Sequence, residues 1–186
     1  MTAAYYAARA GQDVVLVDSR RVPGEKILLS GGGRCNVLPI ESDPHGYATS
    51  SSPNTLRKIV QSWPLAEVRK FLEEELGVRL IEQKRTGKVF PATGGGEDVR
   101  DRFVAALRRK GVRIVTRTKV VEIRPSERRR VMLEGGAGIV AEQVILATGG
   151  LSYPRTGSDG GGLRIAEALG HRIVPTYPAL VPLRNG

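Results

Sequence analysis

The stretch that decides the fold is Thr2–Asp18, TAAYYAARAGQDVVLVD. Its first part is rich in alanine and holds no helix breaker, and Gly11 follows as a stop signal, so we predict a helix over Thr2–Ala10. The run DVVLVD at 13–18 has no polar alternation, which is typical of a strand buried on both faces of a parallel sheet. A helix that leads into such a strand is the second half of a βαβ unit and predicts an α/β fold.

Composition narrows the class of protein. The chain has 186 residues, of which 40% are hydrophobic, as expected for a globular domain. No apolar run is long enough to span a membrane, and one cysteine permits no intrachain disulfide, so a cytoplasmic location is expected. The net charge is +10, but aromatic residues are few and the only dense basic cluster, ERRR at 127–130, falls at a predicted hairpin turn. Neither a membrane nor a nucleic-acid partner is therefore expected.

Helix and strand signals alternate along the rest of the chain. Residues 19–52 are expected to be mostly loop. The predicted helices run from Ser52-Pro53 to about Ser62, from Pro64 to Gly77, and over 97–111, where Val99, Phe103, Ala106 and Leu107 share one face. After Gly111 short strands predict a β-meander, which leads into a buried strand over Gln143–Ala147. A glycine-rich loop and a helix, LRIAEALG at 163–170, follow.

The segment KILLSGGGRCN at 26–36 carries the clearest ligand signal. Gly31, Gly32 and Gly33 permit positive φ and a close approach of a ligand, and successive N–H groups can form an anion-binding concavity. Arg34 adds a planar fork of donors that suits phosphate. We interpret Cys35 as a small packed residue beside the cofactor, since a lone cysteine cannot form a redox dithiol. The alternative is a flexible surface loop.

Asp18 ends the predicted strand at the position where dinucleotide-binding folds hold a ribose. The alternative is that Asp18 is only a polar residue ending a strand. No G-x-G-x-x-G turn precedes it, so we expect the chain to lack the first strand of the sheet. A further interpretation is an NADP site that uses Arg20 and Arg21, although Asp18 would crowd a 2′-phosphate.

The run VILATGG at 144–150 predicts a strand that ends in a turn at the carboxyl edge of the sheet, where open α/β sheets bind cofactors. His45 and His171 are far apart in sequence and lack the spacing of metal ligands, so no metal site is expected. His171 follows the cap residue Gly170 and is interpreted as structural.

These motifs resemble one known family. KILLSGGGRCNV, GKVFPAT, VILATGGLSYPRTGSDGGG and LGHRIVPTYPALVPL occur in the same order in the BaiN-like NAD(P)/FAD-dependent oxidoreductases, which have the glutathione-reductase-type flavoprotein fold. The resemblance covers nearly the whole chain. It implies a Rossmann-like, three-layer FAD-binding domain with a β-meander, and NAD(P)H as a candidate electron donor.

The resemblance also implies positions for FAD. Asp18 matches the acid at the adenosine ribose, although the family more often has Glu there, and Val121 with Val120 matches the position whose backbone meets adenine. The remaining cofactor-binding residues that it implies are Lys26, Ser30, Gly31, Gly32, Gly33, Arg34, Cys35 and Asn36 in the first loop, Ala147, Thr148, Gly149 and Gly150 in the second turn, and Tyr153, Thr156 and Gly157 after it.

The chain departs from the family in length, because family members are about twice as long. We therefore expect a partial FAD-binding domain over 1–174, with a helical and loop excursion over 37–95, and the start of a truncated substrate domain over 175–186. Loss of the first strand leaves its neighbours unpaired. The chain alone is thus expected to hold FAD weakly or not at all, unless a partner chain or a domain swap completes the sheet.

The leading hypothesis is an FAD-dependent oxidoreductase, or the FAD-binding half of one, that transfers hydride between NAD(P)H or a small reduced substrate and the flavin. No catalytic residue follows from the sequence. The alternative is a non-enzymatic remnant or basic binding module that keeps the fold without the cofactor.

Overall fold

The computed structural model of the protein describes residues 1–43, 46–47 and 51–178. The described chain divides into two units, one made of Met1–Leu16 and Val22–Ile114, the other of Val17–Arg21 and Val115 onward. The predicted domain boundaries stay a prediction, and residues 179–186 of the predicted substrate domain lie outside the described residues. The helices of the described chain are α1 (Thr2–Arg9), α2 (Pro53–Ser62), α3 (Leu65–Lys70), α4 (Gly95–Arg109) and α5 (Gly161–Ala168). Its strands are β1 (Val15–Val17), β2 (Leu38–Pro39), β3 (Leu80–Gln83), β4 (Lys88–Pro91), β5 (Arg113–Val115), β6 (Val120–Arg124), β7 (Arg129–Leu133) and β8 (Gly138–Ala141). A 3-10 segment (Glu25–Gly33) lies between β1 and β2, a π-helical turn (Phe71–Glu75) follows α3, and shorter 3-10 turns cover Lys84–Thr86 and Pro154–Thr156.

The helices form where the sequence predicts them, because their signals are local. The Ser52 hydroxyl caps α2 and accepts a hydrogen bond from the Thr55 N–H at 3.2 Å. The predicted apolar face of α4 is buried as a whole, with Leu107 fully inaccessible to solvent. Among the described residues no helix combines the length and apolar character that a membrane span requires.

The strands form three small sheets. β1 pairs with β5, and the order of the other two sheets is β2-β4-β3 and β6-β7-β8, both antiparallel. The β1–β5 pair is parallel. The Arg113 N–H donates to the Val14 oxygen at 3.0 Å, and the Asp18 N–H donates to the Val115 oxygen at 2.9 Å, so residue numbers increase in the same direction along both strands. The β6-β7-β8 sheet confirms the predicted meander.

The core of the first unit is built around aromatic side chains of α1, α4 and the π-helical turn. The centroid of the Phe71 ring lies 5.1 Å from that of the Tyr5 ring and 5.6 Å from that of the Phe103 ring, and both pairs have edge-on geometry. The core of the second unit is smaller, and Ile123, Val131 and Ile165 are its buried members. α5 is thereby anchored to the meander through Ile165.

The prediction of a buried strand over Gln143–Ala147 was wrong. None of these residues lies in a strand or makes a backbone hydrogen bond within the described part of the chain. Ile145 is 65% exposed and Leu146 38% exposed. An apolar run gives a segment the propensity for a strand, but a neighbouring strand must pair its N–H and C=O groups. No described strand lies alongside this segment.

Candidate functional site

The glycine loop Ser30–Asn36 leaves the 3-10 segment through a sharp change of backbone direction. Ser30 has an extended ψ of 140°, after which Gly31, Gly32 and Gly33 have φ values of 58°, 67° and 86°. Three consecutive left-handed residues are accessible without strain only to glycine. The three glycines thus adopt the positive φ values that the sequence analysis expected them to permit.

Hydrogen bonds and close packing hold this loop in place. The Cys35 N–H donates to the Ser30 carbonyl oxygen at 2.9 Å, and the Ser30 hydroxyl donates to the Ile27 carbonyl oxygen at 2.9 Å. A Cβ on Gly31 would lie 2.9 Å from the Asn36 nitrogen, so no other residue fits there. A Cβ on Gly32 would instead meet no heavy atom within 4 Å, so the backbone is open on that side.

Arg34 stands over an aromatic ring beside the glycine loop. Its guanidinium carbon lies 4.6 Å from the centroid of the Phe90 ring, and its Nε donates to the Gly31 oxygen at 3.4 Å. Its two terminal nitrogens have no protein partner among the described residues. Arg34 and Phe90 line a cavity of about 370 Å³, next to Pro91, Thr93 and Gly95. The stack fixes the fork of donors while its outer edge stays available to an anion.

Cys35 is packed into the first unit. Only 3% of it is exposed, and its φ of 61° is unusual for a non-glycine residue. Burial raises the pKa of the Cys35 thiol, and a hydrogen bond with Ser30 acts in the opposite direction. Because a buried neutral thiol is a poor nucleophile, the geometry agrees with the interpretation of Cys35 as a packed residue.

The turn Thr148–Gly150 in the second unit packs against the residues that begin α5. A Cβ on Gly162 would lie 2.0 Å from the Thr148 Oγ1, and a Cβ on Gly149 would lie 3.0 Å from the Ser158 Oγ. The Gly160 N–H donates to the Gly150 oxygen at 3.2 Å. Sequence patterns did not predict this packing, because it joins residues about ten positions apart.

Asp18 caps the turn that follows β1. Its carboxylate accepts a hydrogen bond from the Arg20 N–H at 2.8 Å, and its carbonyl oxygen accepts one from the Thr118 N–H at 3.1 Å. A Cβ on Gly157 would lie 3.2 Å from the Arg20 Cγ. The structure thus brings together the Asp18 turn and the Gly157 loop, two of the predicted cofactor segments.

Val121 lies in an irregularity of the meander. The register between β6 and β7 shifts between Val120 and Glu122, so Val121 has no partner residue in β7. Such a bulge leaves the backbone of the extra residue outside the ladder. Val121 is 50% exposed, which leaves this part of the strand accessible to a ligand.

The other predicted residues occupy ordinary positions. Lys26 is half-buried in the 3-10 segment, while Asn36 and Ala147 are exposed. Tyr153 is 69% exposed with a φ of 51°, and its carbonyl oxygen accepts a hydrogen bond from the Thr156 hydroxyl at 2.7 Å. His45 lies outside the described residues.

An ion pair that sequence reasoning missed fixes the start of α5. The Lys119 Nζ lies 2.7 Å from the Asp159 Oδ2, and the Asp159 Oδ1 accepts a hydrogen bond from the Gly161 N–H at 2.9 Å. The Lys119 ammonium, and then the Gly161 N–H, hold the pKa of Asp159 below its usual value. The only signal in the sequence was an acid before a glycine-rich helix start.

The predicted cofactor residues therefore form two sets. Lys26 and the glycine loop belong to the first unit, and Asp18 with all the residues from Val120 onward belongs to the second. Within the second unit, the structure brings the Thr148 turn to Ser158 and Gly162, and the Asp18 turn to Gly157.

Comparisons with known proteins bear on this arrangement. The family model described as "HI0933-like protein Rossmann domain" matches residues 1–178. The chain is 32% identical over 186 residues to the 3-dehydro-bile acid delta(4,6)-reductase of Clostridium scindens, covering 99% of this chain and 44% of that protein. It is 31% identical over 179 residues to the ribosomal RNA dihydrouridine synthase of Escherichia coli, covering 95% and 43%. It thus spans less than half the length of these relatives.

The solved structure of glycine oxidase from Geobacillus kaustophilus superposes with a TM-score of 0.55. The two chains are 16% identical, and the match covers 90% of this chain and 54% of that one. At this identity the likeness concerns the fold alone, and it agrees with the Rossmann-like architecture that the family model describes.

Proposed function

Because the chain belongs to the HI0933-like protein Rossmann domain family, we propose that it forms the FAD-binding part of a flavoprotein oxidoreductase. The proposed reaction is hydride transfer between NAD(P)H or a small reduced substrate and the flavin. When bound, FAD supplies that chemistry, and the protein supplies binding, orientation and electrostatics. The observation that carries the proposal is the glycine loop, with three left-handed glycines next to the stacked Arg34.

Each unit, taken by itself, has open backbone that a cofactor of this kind could approach. A Cβ built on Gly32 or on Gly150 meets no heavy atom within 4 Å, so a ligand has room to approach either backbone closely. Val121 adds a strand position outside the ladder. Flat, extended cofactors need surfaces of this kind, together with a few directed polar groups.

Arg34 and Asp18 have proposed roles that follow from their chemistry, and Val121 has one that the family resemblance implies. Arg34 would pair its outer nitrogens with a pyrophosphate oxygen, because a guanidinium already held by a ring loses little freedom on binding. Asp18 would accept a hydrogen bond from a ribose hydroxyl. The backbone of Val121, with Val120 beside it, would meet the adenine. The other residues proposed to line the cofactor are Lys26, Ser30, Gly31, Gly32, Gly33, Cys35, Asn36, Ala147, Thr148, Gly149, Gly150, Tyr153, Thr156 and Gly157.

Titration of the purified chain with FAD tests the proposal. Because the chain alone is expected to hold FAD weakly, the titration extends to high FAD concentration, where we expect saturable quenching of flavin fluorescence and the absorption spectrum of a bound flavin. Arg34→Ala should weaken binding about tenfold, which corresponds to about 1.4 kcal/mol. Arg85→Ala removes the same charge from an exposed residue that does not line the cavity and should leave the affinity unchanged. A chain that stays colourless and shows no saturable binding would overturn the proposal.

A basic binding module is the second candidate, favoured by the net charge of +10 and by Arg128, Arg129 and Arg130, which are all exposed. The Escherichia coli relative is named for a reaction of ribosomal RNA. Binding of a ribosomal RNA fragment at rising salt concentration distinguishes the two candidates. Tight, strongly salt-dependent RNA binding without flavin binding would favour the module.

A further inference from the structure

The segment Ser158–Gly162 packs against the proposed cofactor turn Thr148–Gly150, and each residue of the turn meets its own partner there. Thr148 meets Gly162, Gly149 meets Ser158, and Gly150 accepts a hydrogen bond from the Gly160 N–H. We infer that Ser158–Gly162 is a seat that fixes the conformation of the turn, and that Gly162 and Ser158 are positioning residues for the flavin. The second part of this inference rests on the proposed function.

The contact between Gly162 and Thr148 is the tightest part of the seat. A Cβ on Gly162 would lie 2.0 Å from the Thr148 Oγ1, 3.1 Å from its Cβ and 3.2 Å from its Cγ2. The Thr148 side chain thus fills the space that a methyl group at 162 would need. Alanine at 162 must displace the Thr148 side chain, and the 3.1 Å approach to the Thr148 Cβ requires the turn to give by a few tenths of an ångström.

The backbone conformation does not require a glycine at position 162. Gly162 lies in the first turn of α5 without a positive φ, so alanine would satisfy its backbone. Glycine in a helix costs about 1 kcal/mol relative to alanine. The steric contact with Thr148 accounts for a residue that helix propensity disfavours.

Within the seat, Ser158 is buried and Asp159 links the segment to the residue before the meander. Ser158 is only 5% exposed, and it is the buried polar residue among those described. Asp159 accepts from the Gly161 N–H and pairs with Lys119, which precedes β6. The seat is therefore tied to the meander, and the turn inherits a fixed position relative to Val120 and Val121.

Gly162→Ala is the first test, with Gly161→Ala as its matched control. Both changes add one methyl group to the first turn of α5, but a Cβ on Gly161 meets only the ends of two flexible side chains, the Asp159 Oδ1 at 3.0 Å and the Arg164 Nη2 at 3.7 Å, and no atom of the turn. We expect Gly162→Ala to weaken FAD binding about tenfold and Gly161→Ala less than twofold. Ile165→Val is a second control, because it changes a buried residue of the same helix. It should lower the stability of the protein without displacing the turn, so it shows how much a loss of stability alone weakens FAD binding.

Two readouts do not need the cofactor. In the apoprotein, Gly162→Ala should accelerate hydrogen exchange of the Gly160 amide, whose acceptor is in the turn. Thr148→Ala should relieve the loss of stability caused by Gly162→Ala, so the double variant should unfold at a higher temperature than additivity predicts. If Gly162→Ala does not fold, the same hydrogen-exchange and affinity measurements are made on Ser158→Ala, which is a milder change.

The outcomes separate the seat from the function. If the chain binds no FAD but the apoprotein readouts appear, the seat stands, while the proposed function and the positioning role fall. If FAD binds but Gly162→Ala and Gly161→Ala weaken binding equally, the positioning role is wrong. If Gly162→Ala stabilises the apoprotein as its helix propensity alone predicts, the seat itself is wrong.

Discussion

The Lys119 Nζ lies 2.7 Å from the Asp159 Oδ2, and this pair joins the residue before β6 to the residue before Gly160, the N-cap of α5. Both side chains are about 40% exposed, at 42% and 39%. Solvent screens such a pair, so a double-mutant cycle of Lys119→Met and Asp159→Asn should give a coupling free energy of about 0.2–1 kcal/mol.

The pH dependence of this coupling follows from the lowered pKa of Asp159. A carboxyl whose pKa is lower in the folded state stabilises the protein above its unfolded pKa of about 3.9. The coupling should therefore be constant at neutral pH and disappear as the pH falls below about 4. Chemical unfolding of the four proteins at several pH values measures it, and a coupling that survives full protonation of Asp159 would contradict the assignment.

The stack of Arg34 on Phe90 gives a second prediction. Phe90→Leu removes the ring under the guanidinium and should weaken FAD binding several-fold, because Arg34 loses its fixed orientation. The measurement is a fluorescence titration with FAD. Phe103→Leu is the matched control, since both phenylalanines are 6% exposed in the same unit. Each should lose about 0.5–3 kcal/mol of stability, so an equal loss of FAD affinity in both variants would show that the stack is irrelevant.

The sequence predicted the parts of the fold whose signals are local. The cap at Ser52, the apolar face of α4 and the alternation of the meander each specify an element without reference to distant residues. The seat under Thr148 and the stack under Arg34 were not predictable in this way, because each depends on which distant segment comes to lie beside the motif. Gly162 had a local signal, a glycine where a helix prefers alanine, but its partner Thr148 had none.

The wrong strand at Gln143–Ala147 has the same physical origin. Its apolar residues match a buried strand, yet burial and pairing depend on neighbours that composition cannot supply. The cofactor residues were predicted from the glycine loop and the Thr-Gly-Gly turn, where unusual residue types concentrate. Their contact with FAD stays a prediction, as does a partner chain or domain swap that completes the sheet.

The hydrogen bond between the buried Tyr5 and the partly exposed Glu75 gives a prediction for alkaline pH. The Tyr5 hydroxyl donates to the Glu75 carboxylate, and burial, followed by this hydrogen bond, raises the pKa of Tyr5 to about 12. A raised pKa stabilises the protein below the unfolded value of about 10, and this contribution is lost as the pH rises through 12. Tyr5→Phe should lower the unfolding temperature by about 2–4 °C at neutral pH.

The difference between the wild type and Tyr5→Phe should then narrow between about pH 10 and pH 12. Thermal unfolding followed by circular dichroism gives the comparison. Tyr6→Phe removes a neighbouring hydroxyl and leaves the Tyr5–Glu75 pair intact, so it is the control. If Tyr6→Phe reproduces the narrowing, the effect does not come from Tyr5.

Ile145 and Ile165 allow the exposed segment to be tested with one substitution. Ile145 is 65% exposed and Ile165 only 7%. Ile145→Ala should change the free energy of unfolding by about 0.5 kcal/mol or less, whereas Ile165→Ala should cost about 2–5 kcal/mol. Denaturant unfolding at several protein concentrations provides both values. A cost at Ile145 that approaches the cost at Ile165 and grows with protein concentration would mean that another chain covers the segment, as the predicted partner strand requires.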